Sequence, residues 1–271
     1  MKTRVLAAVV LVPVLLVIVL AAPVVLAAVI FGAMMAIASY ELLYRTELVR
    51  HPRLVAYSSL MAFAVTIWSY LGAVQAWLLL GMMAYCVLLF SEMMGDHIRV
   101  RFEKIAMCFV AGFVVPYLLS ALVRILSSVN GRYVILIPFV VAFLSDAGAY
   151  FVGLKFGRHK LAPVVSPNKT IEGALGGVAG AMIGMLVYAL ILDLVFPYLE
   201  IHYGFAVLYG LVGSIAGVFG DLCFSIIKRQ TGIKDYGNLI PGHGGILDRF
   251  DSMMMVAPLV EALLALIPVV R

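Results

Sequence analysis

The sequence predicts an all-α, polytopic integral membrane protein with about nine transmembrane helices. Three observations lead there. Of 271 residues, 65% are hydrophobic and only 12% charged, with a mean hydropathy of +1.13, which excludes an ordinary soluble domain. Apolar runs recur that approach or exceed the ~20 residues a helix needs to cross a bilayer. Nearly all Lys and Arg residues fall into alternate gaps between those runs, the pattern that orients a membrane protein.

The first span, 5–21, follows Lys2 and Arg4 and so imitates a signal peptide. Pro23 argues against cleavage after Ala21-Ala22, and a second run, 24–44, follows at once, so the first span is expected to be retained. Spans at 54–71 and 74–92 part only near Gly72, with Trp68 and Trp77 as interface anchors on either side. Spans at 105–127 and 133–153 come next. Ser166-Pro167 reads as a helix start, the serine capping and the proline fitting the first turn. It leads into a span at 171–196, closed near Asp193 and Glu200. Spans at 204–226 and 251–270 complete the nine.

With nine spans, the N-terminus and alternate loops share a side that holds every Lys and Arg except Arg124, Arg132 and Arg271. The positive-inside rule then places the N-terminus in the cytoplasm and the C-terminus in the periplasm. No polar stretch is long enough to fold separately. Residues 1–271 therefore read as one membrane domain, with helices for packing, lipid contact and dimerisation in 1–130 and catalytic helices and loops in 131–271. The net charge of +5 is spread over loops. It fits orientation and anionic partners such as lipid headgroups or nucleotides, and not nucleic acid. Cys86, Cys108 and Cys223 lie in apolar contexts without metal-ligand spacing. Gly173, Gly176, Gly177, Gly180, Gly184, Gly213 and Gly217 have small-xxx-small spacings, which serve close helix packing within the protomer or a dimer seam.

Two loops on the expected cytoplasmic side carry chemistry. The first follows Asp146 and passes Lys155, Arg158, His159 and Lys160 before Ser166–Gly173 (SPNKTIEG). Lys169 and Thr170 would lie near a helix N-terminus, a plausible phosphate site; a solvated positive-inside loop is the plainer alternative. The second runs from Gly220 to Asp251. Asp221 and Asp248 bracket it from different helix ends, and two such carboxylates can hold Mg²⁺, which keeps waters and substrate phosphates in its shell. Lys228, Arg229, Lys234 and Arg249 can neutralise a polyphosphate. The glycines around His243, including Gly244 and Gly245, remove side chains where backbone must approach a ligand. Cation, bases and close backbone suit phosphoryl or nucleotidyl transfer, whose catalysis is largely positioning and charge stabilisation. A GxxxxGK[ST] loop, HExxH and GxSxG are all absent from the sequence.

Ser225, Lys228, Arg229, Lys234, Asp235, Pro241 to Gly245, Asp248, Arg249 and Asp251 fill without a gap a pattern that closely resembles the signature of bacterial phosphatidate cytidylyltransferases (CDP-diacylglycerol synthases). DAGAYFVG from Asp146 and SPNKTIEG are similar to that family's upstream motifs, with Ile171 where an aromatic is commoner. The resemblance is strong in the C-terminal half; the first four or five spans match only in length and hydropathy. It implies the reaction of CTP with phosphatidate to give CDP-diacylglycerol and pyrophosphate. It also implies a homodimer of the inner membrane, facing the cytoplasm, with Mg²⁺ at Asp221 and Asp248 and a monovalent cation such as K⁺. On that footing Lys228, Arg229 and Lys234 clamp the triphosphate, Arg249 meets the lipid phosphate and His243 donates to a phosphate oxygen. Asp146, Lys169 and Glu172 line the same cavity, with Thr170, Ser225, Asp235, Gly244, Gly245 and Asp251 also at the substrates. A transporter is the main rival, since intramembrane charge occurs there too. The sequence has no internal repeat, and its charges cluster at one edge. A transferase acting on another lipid is the second rival.

Overall fold

The computed structural model describes residues 2–72, 75–240, 242 and 244–270, with the side chains of 2–8 and 10 left aside. Among the described residues, seven helices are long and apolar enough to cross a membrane: Val24–Arg45, Pro52–Leu71, Gln75–Gly95, Phe102–Ser127, Gly131–Phe156, Ile171–Val195 and Tyr203–Gln230. Two shorter apolar helices, Leu11–Leu20 and Met253–Leu266, fall where the first and last of the nine spans were expected. The chain is a multi-pass, helical membrane protein. It forms two compact units, Met1–Ser127 with Gln230–Phe250, and Ser128–Arg229 with Asp251–Arg271. The segment carrying much of the signature, Gln230–Phe250, groups with the N-terminal helices.

The first unit begins with α1 (Lys2–Leu20), which the bend at Ala21–Pro23 separates from α2 (Val24–Tyr40). α2 ends in a single wide π-type turn, Glu41–Arg45. α3 (Pro52–Leu71) starts on Pro52 at its first turn and stops at Gly72, whose φ of 54° is the left-handed C-cap that glycine supplies without strain. α4 (Gln75–Gly95) follows. The next span is broken: α5 (Phe102–Phe109), a π turn at Val110–Val114, α6 (Val115–Leu119) and α7 (Ala121–Ser127), with Pro116 in the first turn of α6. Buried polar groups are satisfied at this junction. The Tyr85 hydroxyl donates to the Cys108 carbonyl at 2.7 Å and shares a hydrogen bond with Ser58 Oγ at 2.8 Å, tying α4 to α5 and α3.

The second unit opens with the short α8 (Gly131–Val134) and α9 (Leu136–Phe156), followed by a hairpin of β1 (Lys160–Ala162) and β2 (Ser166–Thr170). Its strands are antiparallel, with Lys160 opposite Thr170 and Ala162 opposite Ser166. α10 (Ile171–Val195) and α11 (Tyr203–Gln230) come next. α12 (Leu247–Phe250) belongs to the first unit and α13 (Met253–Leu266) to the second. The helix start expected at Ser166-Pro167 is corrected here. Those residues pair in β2, and α10 starts at Ile171, capped by Thr170, whose Oγ1 accepts from the Gly173 amide at 3.0 Å.

α9 and α10 pack with their backbones nearly touching. A Cβ on Gly148 would overlap the Gly176 carbonyl, one on Gly176 the Val152 side chain, and one on Gly180 would lie 2.6 Å from the Leu144 carbonyl. The small-residue spacings of α10 therefore serve contact within the protomer. The described residues confine α10's glycine stripe to α9 and its flanks, with Gly177 against Ser145 and Gly184 against Leu144.

Candidate active site

In the second unit, four charged side chains from three chain segments converge. Lys169, on β2, forms a close ion pair with Asp221, which lies late in α11. One turn further along α11, Ser225 donates to Asp221 Oδ1 at 3.2 Å. Lys228, another turn on, stands 4.0 Å from Asp251, which leads into α13. The 3–4 residue spacing places Asp221, Ser225 and Lys228 on one helical face. Asp251 reaches that face because α13 crosses α11 where glycines stand: a Cβ on Gly220 would lie 2.8 Å from the Asp251 carbonyl, and Gly217 abuts Val256.

The side chains of Lys228 and Asp251 are only 14% and 17% exposed. Burial pushes the Asp251 carboxyl up to about 7, and the charges of Asp221 and Asp146 push it the same way against the pull of Lys228. Three carboxylates thus share one electrostatic neighbourhood with two lysines. Beside it lies a cavity of about 220 Å³ lined by Asp146, Asn168, Lys169 and Thr170, with an apolar wall from Tyr150, Leu161 and Val218. Of Asp146, Lys169 and Glu172, expected to line one cavity, the first two line it, together with Thr170.

Glu172 is engaged otherwise. Its carboxylate accepts from the backbone N–H of Arg158 (3.1 Å) and His159 (3.2 Å) and pairs with His159 Nδ1 at 2.5 Å. It fixes the entry to the hairpin and is not among the residues lining the cavity. Arg229 Nε donates to the Val165 carbonyl at 3.2 Å, holding the turn of the hairpin.

In the first unit, Gln230–Phe250 is a loop folded around two acids. Asp248 is 5% exposed, and its Oδ2 accepts from the amides of Tyr236 (2.7 Å) and Gly245 (3.0 Å). Gly244 is required twice over: its φ is +82°, and a Cβ there would lie 2.7 Å from Asp248 Oδ2. Lys234, Asp235 and Arg249 are exposed. Pro241 and His243 lie outside the described residues, so the role expected of His243 rests on the sequence. Asp221 and Asp248, expected to share a cation, belong to different units. Among the described residues, no group of three His, Cys, Asp or Glu side chains forms a metal site.

Sequence reasoning passed over the second acid of that loop, Glu41. It is 3% exposed and accepts from the amides of Ile246 at 3.1 Å and Leu247 at 2.9 Å. The signal was available: Glu41 is the one acid in the apolar run 24–44, and an ionisable residue within a span is a functional candidate by default.

A family model described as "Cytidylyltransferase family" matches residues 2–267. Curated relatives carry the name phosphatidate cytidylyltransferase. That of Staphylococcus haemolyticus is 46% identical over 135 residues, 50% of either chain. That of Bacillus subtilis is 46% identical over 127 residues, 47% of this chain and 45% of its own. That of Staphylococcus aureus is 46% identical over 138 residues, 50% of either chain. The chain spans about half the length of the curated relatives it matches.

Proposed function

The chain belongs to the cytidylyltransferase family, and from that premise we propose that it is a phosphatidate cytidylyltransferase, joining CTP to phosphatidate and releasing pyrophosphate. The observation that carries this reading is the half-buried meeting of Lys169, Asp221, Lys228 and Asp251 in the second unit. Cations held in place by acids and screened from water are what a polyphosphate substrate calls for. The relatives' name supports the choice of lipid.

The chemistry asks little of a base. The phosphatidate phosphate is already anionic and serves as its own nucleophile. One of its oxygens bonds to the α-phosphorus of CTP, the bond from that phosphorus to the bridging oxygen of the β-phosphate breaks, and the electron pair leaves with pyrophosphate. Lys228, Arg229 and Lys234 neutralise the triphosphate, and Arg249 meets the lipid phosphate. His243 donates to a phosphate oxygen. Among the described residues the donor set suits a hard cation: carboxylates without thiolates, and too few for a closed protein cage. Asp221 and Asp248 are the proposed Mg²⁺ ligands, with a monovalent cation such as K⁺ as a second ion. Bound Mg²⁺ supplies charge neutralisation at the reacting phosphates. The proposal includes a homodimer in the bacterial inner membrane, nine spans, and a cytoplasmic site.

The test uses purified protein with labelled CTP, Mg²⁺ and a panel of lipids. A lipid-linked CMP product with stoichiometric pyrophosphate, formed with phosphatidate alone, is the expected result. Product formed only with another lipid, or uptake into sealed vesicles without any new product, would overturn the reading. Asp221→Asn and Asp248→Asn should each cut turnover by at least ~100-fold, on the scale of lost electrostatic stabilisation, with the protein still in the membrane. Near-normal output from either would remove that residue from the metal assignment.

A further inference from the structure

We infer that Glu41 is a positioning residue for the nucleotidyl-transfer site, holding the Gly245–Leu247 backbone so that Asp248 and Arg249 face the substrates. This rests on the proposed activity, but the contact itself stands independently of it. Acids are almost never fully buried unless paired. Here the pairing is with backbone: each Glu41 oxygen takes one amide, Ile246 on Oε1 and Leu247 on Oε2. Asp248 takes the preceding amide, Gly245, and also that of Tyr236.

The Ile246 and Leu247 amides are donors at the start of α12, which no intrahelical carbonyl can satisfy. Glu41 therefore caps a short helix more than two hundred residues further along the chain. The wide turn at Glu41–Arg45 that ends α2 carries it; such turns recur at functional positions. The glycines of the loop fit the same account. A Cβ on Gly237 or on Gly245 would overlap the Glu41 carboxylate. These two positions are glycine to admit Glu41, whereas for Gly245 the sequence alone offered ligand approach as the reason.

Both Glu41 oxygens are occupied and the side chain is buried, so it acts through the backbone it holds. Asp248 and Arg249 follow directly on the anchored amides. Without the anchor the segment samples other orientations, and apparent affinity falls by the competent fraction. Simple loss of folded enzyme would lower the maximal rate and leave half-saturation constants alone.

The experiment compares wild type, Glu41→Gln and Gly245→Ala as full-length protein in detergent. Glu41→Gln places an amide donor against a backbone donor. Backbone hydrogen exchange over Tyr236–Phe250 should speed up at least ~10-fold in both variants, with exchange in α9 and α10 unchanged. The CTP and Mg²⁺ concentrations for half-maximal rate should rise at least ~10-fold, with excess Mg²⁺ and CTP restoring most of the rate. Unchanged exchange would refute the anchor. Faster exchange with unaltered half-saturation constants would refute the positioning role and leave the proposed function intact. Wild-type protein that makes no CDP-diacylglycerol would refute the function, while the exchange data still judged the anchor. The pair should also couple: adding Gly245→Ala to Glu41→Ala should cost less than it costs in wild type, because the overlapping carboxylate is gone.

Discussion

Thr170 shows how one side chain can serve fold and site together. Its Oγ1 caps α10 through the Gly173 amide, and the same residue lines the cavity beside Asp146 and Lys169. It is 8% exposed, and Gly153, Gly157 and Gly173 close around it so tightly that a Cβ on Gly157 would lie 2.9 Å from its hydroxyl. Thr170→Ala should lower stability by about 1 kcal/mol through loss of the cap, whereas Thr170→Ser should keep most of it. Thermal unfolding in detergent would separate the two; equal melting temperatures would show that the hydroxyl does not hold the helix. Lys169, one residue earlier, stood out in the sequence as a candidate phosphate ligand by its type and place. Its pairing with Asp221 was not readable, because the two lie 52 residues apart (169 to 221) on different elements.

At the scale of elements, hydrophobic length located seven helices long and apolar enough to cross a membrane among the described residues, because a bilayer constrains length more than it constrains packing. It failed at the hairpin. Ser166-Pro167 carries a sound local helix-start signal, yet the pairing of β1 with β2 outweighs it and moves the start to Ile171. The glycine spacings of α10 announced close packing, and the partner, α9, is its neighbour in sequence. That contact is tight enough to test. Gly176→Leu would drive a branched side chain into Val152 and the Gly148 carbonyl. Overpacking of this kind costs about 1–3 kcal/mol, so melting should fall by several degrees and the cavity beside α9 should distort. A variant as stable as wild type would mean that α9 and α10 can part. The wide turns at Glu41–Arg45 and Val110–Val114 left no trace in the hydropathy pattern, which scores polarity and is blind to helical pitch.

For the whole molecule, the distribution of basic residues gives a directional expectation. In cells, a cysteine placed at Val129, which is fully exposed and falls between Arg124 and Arg132 in the sequence, should react with a membrane-impermeant maleimide from outside. One placed at Arg158 should react only after lysis. A background with Cys86, Cys108 and Cys223 replaced makes the readout clean, and the reverse pattern would invert the proposed orientation. Charge placement was legible because it is set by loops, which sequence shows directly. The grouping of Gln230–Phe250 with the N-terminal helices was not, since nothing local in that segment points to α2.

That grouping bears on how the protein is made. Ile246 lies 205 residues beyond Glu41, and ribosomes add roughly 5–20 residues per second. For some tens of seconds, then, a nascent chain carries an acid in its second span with no amide to receive it. The first unit therefore closes only once Gln230–Phe250 has been made, and until then that acid is met by water or neutralised by a proton.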